Sequence, residues 1–358
     1  MITTIACIGV GRMGGGIARN LARDGRFEVR VSDPSAEAVA ACVEAGATAA
    51  ASTAALLEHV DLVITSLPLP ETVLAAHGAG RGLSPRGAIW MDVSTIDPVT
   101  ARELADGARA DGHRFVACPL GKGPAQAEAG ELPLFVGGDP AAIEELADVF
   151  ACIGEQVHVL GDVEAATSFK IVSNLIGMTN LAVLAEGYEI CRSCGVDDET
   201  FTESLRDTGG WSYQAQVRLP WIQAGDFANR FGVDLALKDL RLAVDMAARR
   251  GIPAPVGAAG LMQLVQAHAQ GLGRKDANAV YKTVRALRAL VVDVLLDADS
   301  RAIPAQSGPS GIGRRQPQVS GHRHERVFRH GTDTAVGRRQ GCLRLLVPLS
   351  LVCHGSSL

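Results

Sequence analysis

The hydrophobic pattern of this 358-residue chain changes character near its middle. Up to about residue 160, short apolar runs alternate with amphipathic segments and turn-rich breaks; beyond it helical spacing prevails to about residue 297. The runs Ile5–Ile8, Phe27–Val31, Asp61–Thr65, Ala88–Asp92, His113–Ala117 and Gln156–Leu160 read as strands. Helical segments, among them Arg12–Asp24, Ser35–Ala45 and Ala141–Cys152, fall between them. Short apolar strands separated by helices are the pattern of a parallel sheet buried on both faces. Leu132–Gly138 reads as a hairpin-like piece. At the junction lies a proline-free segment, Asp162–Cys194, with Ile171, Leu175, Met178, Leu181, Val183 and Leu184 at helical spacing. As one helix it would be about 45 Å long, enough to serve two domains. Gly195-Val196-Asp197 ends it, and helical patterns resume over Thr200–Thr208, Tyr213–Ile222, Leu235–Arg250, Pro255–Gly271 and Asp276–Asp297.

The first strand runs into Gly9-Val10-Gly11-Arg12-Met13-Gly14, a G-x-G-x-x-G turn opening a helix, and Asp33 ends the second strand 19 residues beyond the last glycine. Strand, glycine turn, helix and acid in that order form a dinucleotide-binding unit. Gly9 allows the tight turn, Gly11 lets the backbone approach a pyrophosphate, and Gly14 lets helix and strand pack closely. The helix N-terminus offers N–H groups to phosphate. Asp33 is placed to accept the ribose hydroxyls and to repel a 2′-phosphate, and Pro34 follows with no arginine beside it. The cofactor expected is NAD; NADP stays open, since Arg12 and Arg30 have room to approach. Later strands end at Leu67-Pro68 and Ser94-Thr95, where an open sheet binds ligands beyond its strand ends. Ser94 and Thr95 also read as caps for a helix opening at Pro98. The fold class expected is α/β: a Rossmann-type doubly wound sheet over residues 1–161, then an all-α domain over 162–298 joined through the long helix. A tail, 299–358, follows.

Lys170 and Asn174 stand at i and i+4 on the long helix, so an amine and an amide share one face at the domain junction. They are the candidate catalytic pair. Cys118–Ala127 reads as a loop whose backbone N–H groups around Gly121-Lys122-Gly123 can face an anion. Two readings of Lys122 stand: anion ligand, or solvated loop lysine.

Composition narrows the classes. Hydrophobic residues make up 47% and aromatics 4%, as in an alanine-, valine- and leucine-rich α/β protein. The formal charge of −5 hides an asymmetry: from Arg301 onward nine arginines face two acids, a tail of +7, which leaves −12 on the body. An acidic body argues against nucleic acid as main partner. The tail is rich in arginine, glycine, serine and histidine and without period, so disorder is expected there. Cys191 and Cys194 form a C-x-x-C inside a helical pattern and read as buried apolar residues, not as a redox or metal pair; no metal is expected. The chain starts directly with a strand, and no apolar run is expected to reach the roughly 18 residues that span a bilayer. The expectation is a cytoplasmic protein with no membrane partner.

With these pieces assembled, residues from about Ile2 to Ala298 resemble the β-hydroxyacid dehydrogenase family, which includes 3-hydroxyisobutyrate dehydrogenase and tartronate semialdehyde reductase. GVGRMGGGIARNLARDG, with Met13, is similar to the family's cofactor signature, and DVSTIDP, with Thr95, to its second cofactor motif. PLGKGPAQAEAGELPLFVGG resembles its substrate loop, FKIVSNLIG its lysine motif, and FGVDLALKDLRLA a late motif. The resemblance implies hydride transfer between NAD(P) and a small 3-hydroxy acid or its semialdehyde. It makes Lys170 the general acid–base and Asn174 its partner, sets Lys238 near the nicotinamide, and gives the substrate to Gly121, Lys122 and Gly123. It also implies a homodimer or homotetramer.

Two departures stand out. Most members carry Ser-Gly-Gly where this chain has Gly121-Lys122-Gly123, and Ser173 stands where the first of two asparagines is usual. Family reductases acting on sulfonate-bearing aldehydes also place a basic residue in the loop, so Lys122 is expected to meet a second or stronger anionic group. Two other readings are a non-catalytic NAD-binding scaffold and an imine reductase; the presence of Lys170 counts against both.

Overall fold

The computed structural model describes residues 2–300, with side chains through Val292. Eight strands form one sheet: β1 (Thr4–Ile8), β2 (Glu28–Ser32), β3 (Thr48–Ala49), β4 (Leu62–Thr65), β5 (Ile89–Asp92), β6 (Arg114–Ala117), β7 (Leu132–Gly138) and β8 (Gly154–Val159). Their order is β3-β2-β1-β4-β5-β6-β7-β8. β1 to β6 are parallel, β7 runs antiparallel to β6, and β8 parallel to β7. Every residue of β4 and β5 is buried, as a sheet covered on both sides requires. The chain steps outward one way from β1 to β2 and the other way from β1 to β4, and that reversal opens a crevice at the strand ends.

Helices cover the sheet: α1 (Gly14–Asp24), α2 (Ala36–Glu44), α3 (Thr53–Leu57), α4 (Pro70–Gly80), α5 (Pro98–Ala110), α6 (Pro124–Ala129), α7 (Pro140–Glu145) and α8 (Ala147–Ile153). Ile17 and Leu21 of α1, Cys42 of α2 and Val149 of α8 enter one core; Val73 of α4 and Ala101 and Leu104 of α5 enter the core on the opposite face. The doubly wound arrangement is thereby realised.

The long helix is α9 (Val163–Ser193). Asp162 caps it by accepting from the Ala165 N–H, Glu164 sits in its first turn, and Gly195 just past its end takes φ 89°. Val163 and Ala166 belong to the sheet core, while Met178, Leu181, Leu184 and Tyr188 belong to a second core built by helices alone. Those helices are α10 (Asp198–Arg206), α11 (Tyr213–Gln223), α12 (Val233–Arg249), α13 (Pro255–Ala269) and α14 (Val280–Ser300), with a 3₁₀ turn at Ala277–Ala279.

Several expectations change. The segment expected as one helix over Ala141–Cys152 is α7 and α8, and the loop expected to reach Ala127 already contains α6. α1 starts at Gly14, two residues later than expected, because Arg12 and Met13 turn into it. The Leu132–Gly138 segment does not fold on itself; it pairs with β6 and β8. Val183 points outward, 60% exposed, in line with Phe169, Ile176 and Ile190 at seven-residue spacing. Cys194 is exposed at the C-cap of α9, while Cys191 is half-buried and packs against the helical core. α9 is also long and apolar enough, by length and composition, to cross a membrane, contrary to the expectation of no such run. Its alanines and leucines serve here to pack α11, α12, α13 and α14. α14 continues to Ser300, past the expected start of the tail at 299; the rest of that tail lies outside the described residues.

Candidate active site

The cofactor turn sits where β1 and β4 approach. A Cβ on Gly9 would stand 2.4 Å from the Ser66 carbonyl oxygen, and one on Gly14 would stand 2.1 Å from the Gly9 carbonyl oxygen, so neither position accepts a side chain. A Cβ on Gly11 would meet no protein atom within 4 Å: it would project into the open groove. Met13 holds the N-cap of α1 with no side-chain cap; the Gly15 N–H donates to the Gly11 carbonyl oxygen at 2.7 Å, and the other N–H groups of the first turn are left for another acceptor. That cradle fits a diphosphate. The Val10 N–H donates to Asp33 Oδ2 at 2.8 Å and the Ser35 N–H to Asp33 Oδ1 at 2.8 Å, fixing the carboxylate at the end of β2. Asp33 and Glu44 line the adjoining groove beside α2, and among the described residues no lysine or arginine does.

Leu67 and Pro68 follow β4 and Ser94 and Thr95 follow β5, all on the same rim. Ser94 is no helix cap, for Asp97 caps α5. Ser94 Oγ donates to Asp92 Oδ1 at 2.7 Å and accepts from the Leu67 N–H at 2.9 Å. Thr65 Oγ1 also donates to Asp92 Oδ1, at 2.6 Å. Burial pushes the Asp92 carboxyl up to about 6, against the two hydroxyl donors and the Lys238 charge, which lower it.

Lys170 and Asn174 meet as the helical spacing requires: Lys170 Nζ donates to Asn174 Oδ1 at 3.1 Å. Asn174 Nδ2 then donates to Asp239 Oδ2 at 2.6 Å. Asp239 Oδ1 lies 2.9 Å from Lys238 Nζ, and Lys238 Nζ donates to the Thr95 carbonyl oxygen at 2.5 Å. Only this orientation of the Asn174 amide serves both an amine and a carboxylate. The network runs from α9 through α12 to the end of β5, so the Lys170–Asn174 pair and the cofactor rim are one construction. Burial lowers the Lys170 pKa from its ordinary value; the Lys238 charge lowers it further and Asp239 opposes both.

A cavity of about 620 Å³ opens beside Lys170 and Asn174, walled by Arg12, Gly121, Lys122, Gly123, Arg218 and Arg230 among others. The Gly121 N–H is taken by the Pro133 carbonyl at 2.8 Å, which leaves the N–H groups of Lys122 and Gly123 to meet an anion. Lys122 adopts φ 58°, a left-handed backbone that glycine would hold without strain. Its amine turns to the Glu131 carbonyl at 3.4 Å and Glu155 at 3.6 Å. Arg12 reaches the backbone carbonyl of Asn229, tying the cofactor turn to the loop before α12. A second cavity, about 230 Å³ between α4 and α5, carries no comparable chemistry; the unpartnered nitrogens of His77 and His113 there are sealed from solvent.

Three acids of this site escaped the sequence reading. Asp92, Asp239 and Asp276 act through partners far along the chain. Asp239 left one local signal: a charge among Val233, Ala236, Leu240 and Ala243 on the buried face of α12.

Residues 4–161 match the family model of the NAD binding domain of 6-phosphogluconate dehydrogenase, and residues 165–284 that of the NAD-binding domain of NADP-dependent 3-hydroxyisobutyrate dehydrogenase. Among curated relatives, 2-(hydroxymethyl)glutarate dehydrogenase of Eubacterium barkeri is 34% identical over 282 residues, 78% of this chain and 93% of that protein. The 3-sulfolactaldehyde reductase of Escherichia coli K12 is 31% identical over 289 residues, 79% of this chain and 96% of that protein. The solved structure of Mycobacterium tuberculosis 3-hydroxyisobutyrate dehydrogenase with L-serine superposes with a TM-score of 0.74 at 26% identity, covering 80% of this chain and 100% of that one. The chain belongs to the β-hydroxyacid dehydrogenase family, and its activity is NAD(P)-dependent hydride transfer at the hydroxyl-bearing carbon of a hydroxy acid.

Proposed function

We propose that the chain interconverts a small 3-hydroxy acid and its semialdehyde with NAD preferred over NADP, Lys170 acting as general acid–base. The observation that carries this is the unbroken network Lys170–Asn174–Asp239–Lys238–Thr95. NAD(P), when bound, supplies the hydride chemistry. In oxidation Lys170 Nζ takes the hydroxyl proton; in reduction it returns it. The lowered pKa makes a neutral amine available closer to neutral pH. Asn174 fixes the direction of the amine through its own bond to Asp239. Asp33 and Glu44 in the groove wall support NAD, because a 2′-phosphate there would face carboxylates with no cation to hold it.

The substrate carries a second anionic group. Beyond Lys170 the cavity wall presents Arg12, Lys122, Arg218 and Arg230, more cations than one carboxylate needs. The names of two relatives agree in chemistry, one denoting a dicarboxylic hydroxy acid and the other a sulfonated aldehyde.

The outward stripe Phe169, Ile176, Val183 and Ile190 on α9 supports a homo-oligomer, since apolar residues at seven-residue spacing form a seam for a second helix. The six cysteines of the described residues are all free thiols, which supports a reducing cytoplasm as its place.

The test is NAD(P)H formation from 3-hydroxyisobutyrate, glycerate, threonate, serine and a sulfonated analogue, with NAD and NADP separately. Turnover with NAD, strongest on a substrate with two anionic groups, is expected. NAD binding without turnover in either direction would return the protein to a scaffold role.

A further inference from the structure

Building on the reading of a second anionic group, we propose that Arg218, not Lys122, is the residue that binds it, and that the substrate is a 3-hydroxy acid bearing a distal carboxylate. Arg218 lies on α11, is 8% exposed, and lines the same cavity as Lys170. Its Nε donates to Asp276 Oδ1 at 3.1 Å, and its Nη1 donates to Gln214 Oε1. Nη2 makes no hydrogen bond to protein among the described residues, on a side chain that lines the cavity. With Nε and Nη1 held, Nη2 is the nitrogen of this guanidinium left to meet a carboxylate.

Asp276 is the positioning residue for this group. Fully buried, it accepts from Arg218 Nε, the Phe231 N–H at 2.8 Å, the Arg230 N–H at 3.3 Å and the Asn278 N–H at 3.1 Å. One carboxylate thus fixes Arg218 and the backbone of the loop that brings Arg230 and Phe231 to the cavity wall. Because three backbone donors share it, Asp276 does not spend its charge on Arg218 alone. Arg230 is less available: it pairs with Asp226 at 2.5 Å and stacks 4.0 Å over the Trp221 ring. Lys122 is engaged by Glu131 and Glu155.

The Gln214 amide packs 3.1 Å from a Cβ placed on Gly177, about two turns along α9 from Lys170, so the Gln214–Arg218 pair sits against the helix that carries the amine.

The experiment compares 2-(hydroxymethyl)pentanoate with 2-(hydroxymethyl)pentanedioate, which differ only by a distal methyl or carboxylate, on wild type, Arg218→Gln, Arg218→Lys and Lys122→Ala. Wild type is expected to favour the diacid. Arg218→Gln raises KM for the diacid by about 10-fold to 100-fold, the scale of a lost charge-assisted hydrogen bond, with kcat and the monoacid KM within about threefold. Arg218→Lys recovers part of the loss, and Lys122→Ala leaves the diacid preference in place. Equal losses on both substrates in Arg218→Gln and Arg218→Lys would make Arg218 purely structural. Loss of the preference in Lys122→Ala alone would move the subsite to Lys122. No diacid preference in wild type would overturn the two-anion reading itself.

Discussion

Asn174 Nδ2 donates to Asp239 Oδ2 at 2.6 Å, joining α9 to α12 across 65 residues of chain. Through this bond a buried carboxylate sets both the direction of the Lys170 amine and its charge preference. Asp239 raises the Lys170 pKa against the effects of burial and Lys238. In Asp239→Asn that opposing charge is lost, so the Lys170 pKa falls further. Oxidation needs neutral Lys170 and rises with pH through its pKa; reduction needs the ammonium and falls. The acid limb of kcat/KM for oxidation should therefore move to lower pH in Asp239→Asn, with kcat down about tenfold from lost orientation. A pH–rate profile checks it, and an unmoved limb would detach Asp239 from the acid–base group.

Gly11 and Gly14 separate cofactor contact from packing. Gly11→Ala adds a methyl where no protein atom lies within 4 Å, so melting temperature should hold while KM for NAD rises about tenfold or more. Gly14→Ala drives a methyl to 2.1 Å from the Gly9 carbonyl oxygen and should lower the melting temperature as well. Calorimetry with NAD titration distinguishes the two.

Asp92 makes stability depend on pH. Its folded pKa of about 6 stands above the ordinary 3.8, so the folded state binds the proton more tightly. That stabilisation is complete below about pH 3.8 and is lost as pH rises through about 6, by about 3 kcal/mol. Asp92→Asn keeps an acceptor for Thr65 and Ser94 without the charge. Wild type should lose stability relative to Asp92→Asn between those pH values and hold a constant deficit above them, as denaturant midpoints across pH would record.

Asp33 carries the cofactor preference. Asp33→Ser keeps a short oxygen near Val10 but removes the charge, so the NAD over NADP preference should shrink by about tenfold, chiefly through NADP KM. An unchanged ratio in steady-state kinetics would place the discrimination elsewhere.

What the sequence revealed follows the range of the interactions. The glycine turn with Asp33, and the Lys170–Asn174 pair, are local arrangements whose spacing carries their geometry. The long helix was legible to within a residue at either end, because Asp162 caps it and Gly195 ends it. The role of Asp239 was not legible, because its Asn174 partner lies 65 residues away. Asp92 answers to Thr65 across two strands, and Asp276 to Arg218 58 residues earlier. The outward face of Val183 was not legible for a related reason: α9 is apolar nearly all round, so periodicity alone does not say which apolar stripe faces the core. Lys122 stands out in the sequence, but nothing local tells that its amine turns to Glu155.

The most direct test is turnover by Lys170→Ala, measured as NADH formation from the preferred 3-hydroxy acid, with NAD affinity measured alongside. A loss of about 10²- to 10⁴-fold in kcat with NAD affinity and melting temperature retained is the predicted result. Turnover within about tenfold of wild type would contradict Lys170 as the proton-transfer group.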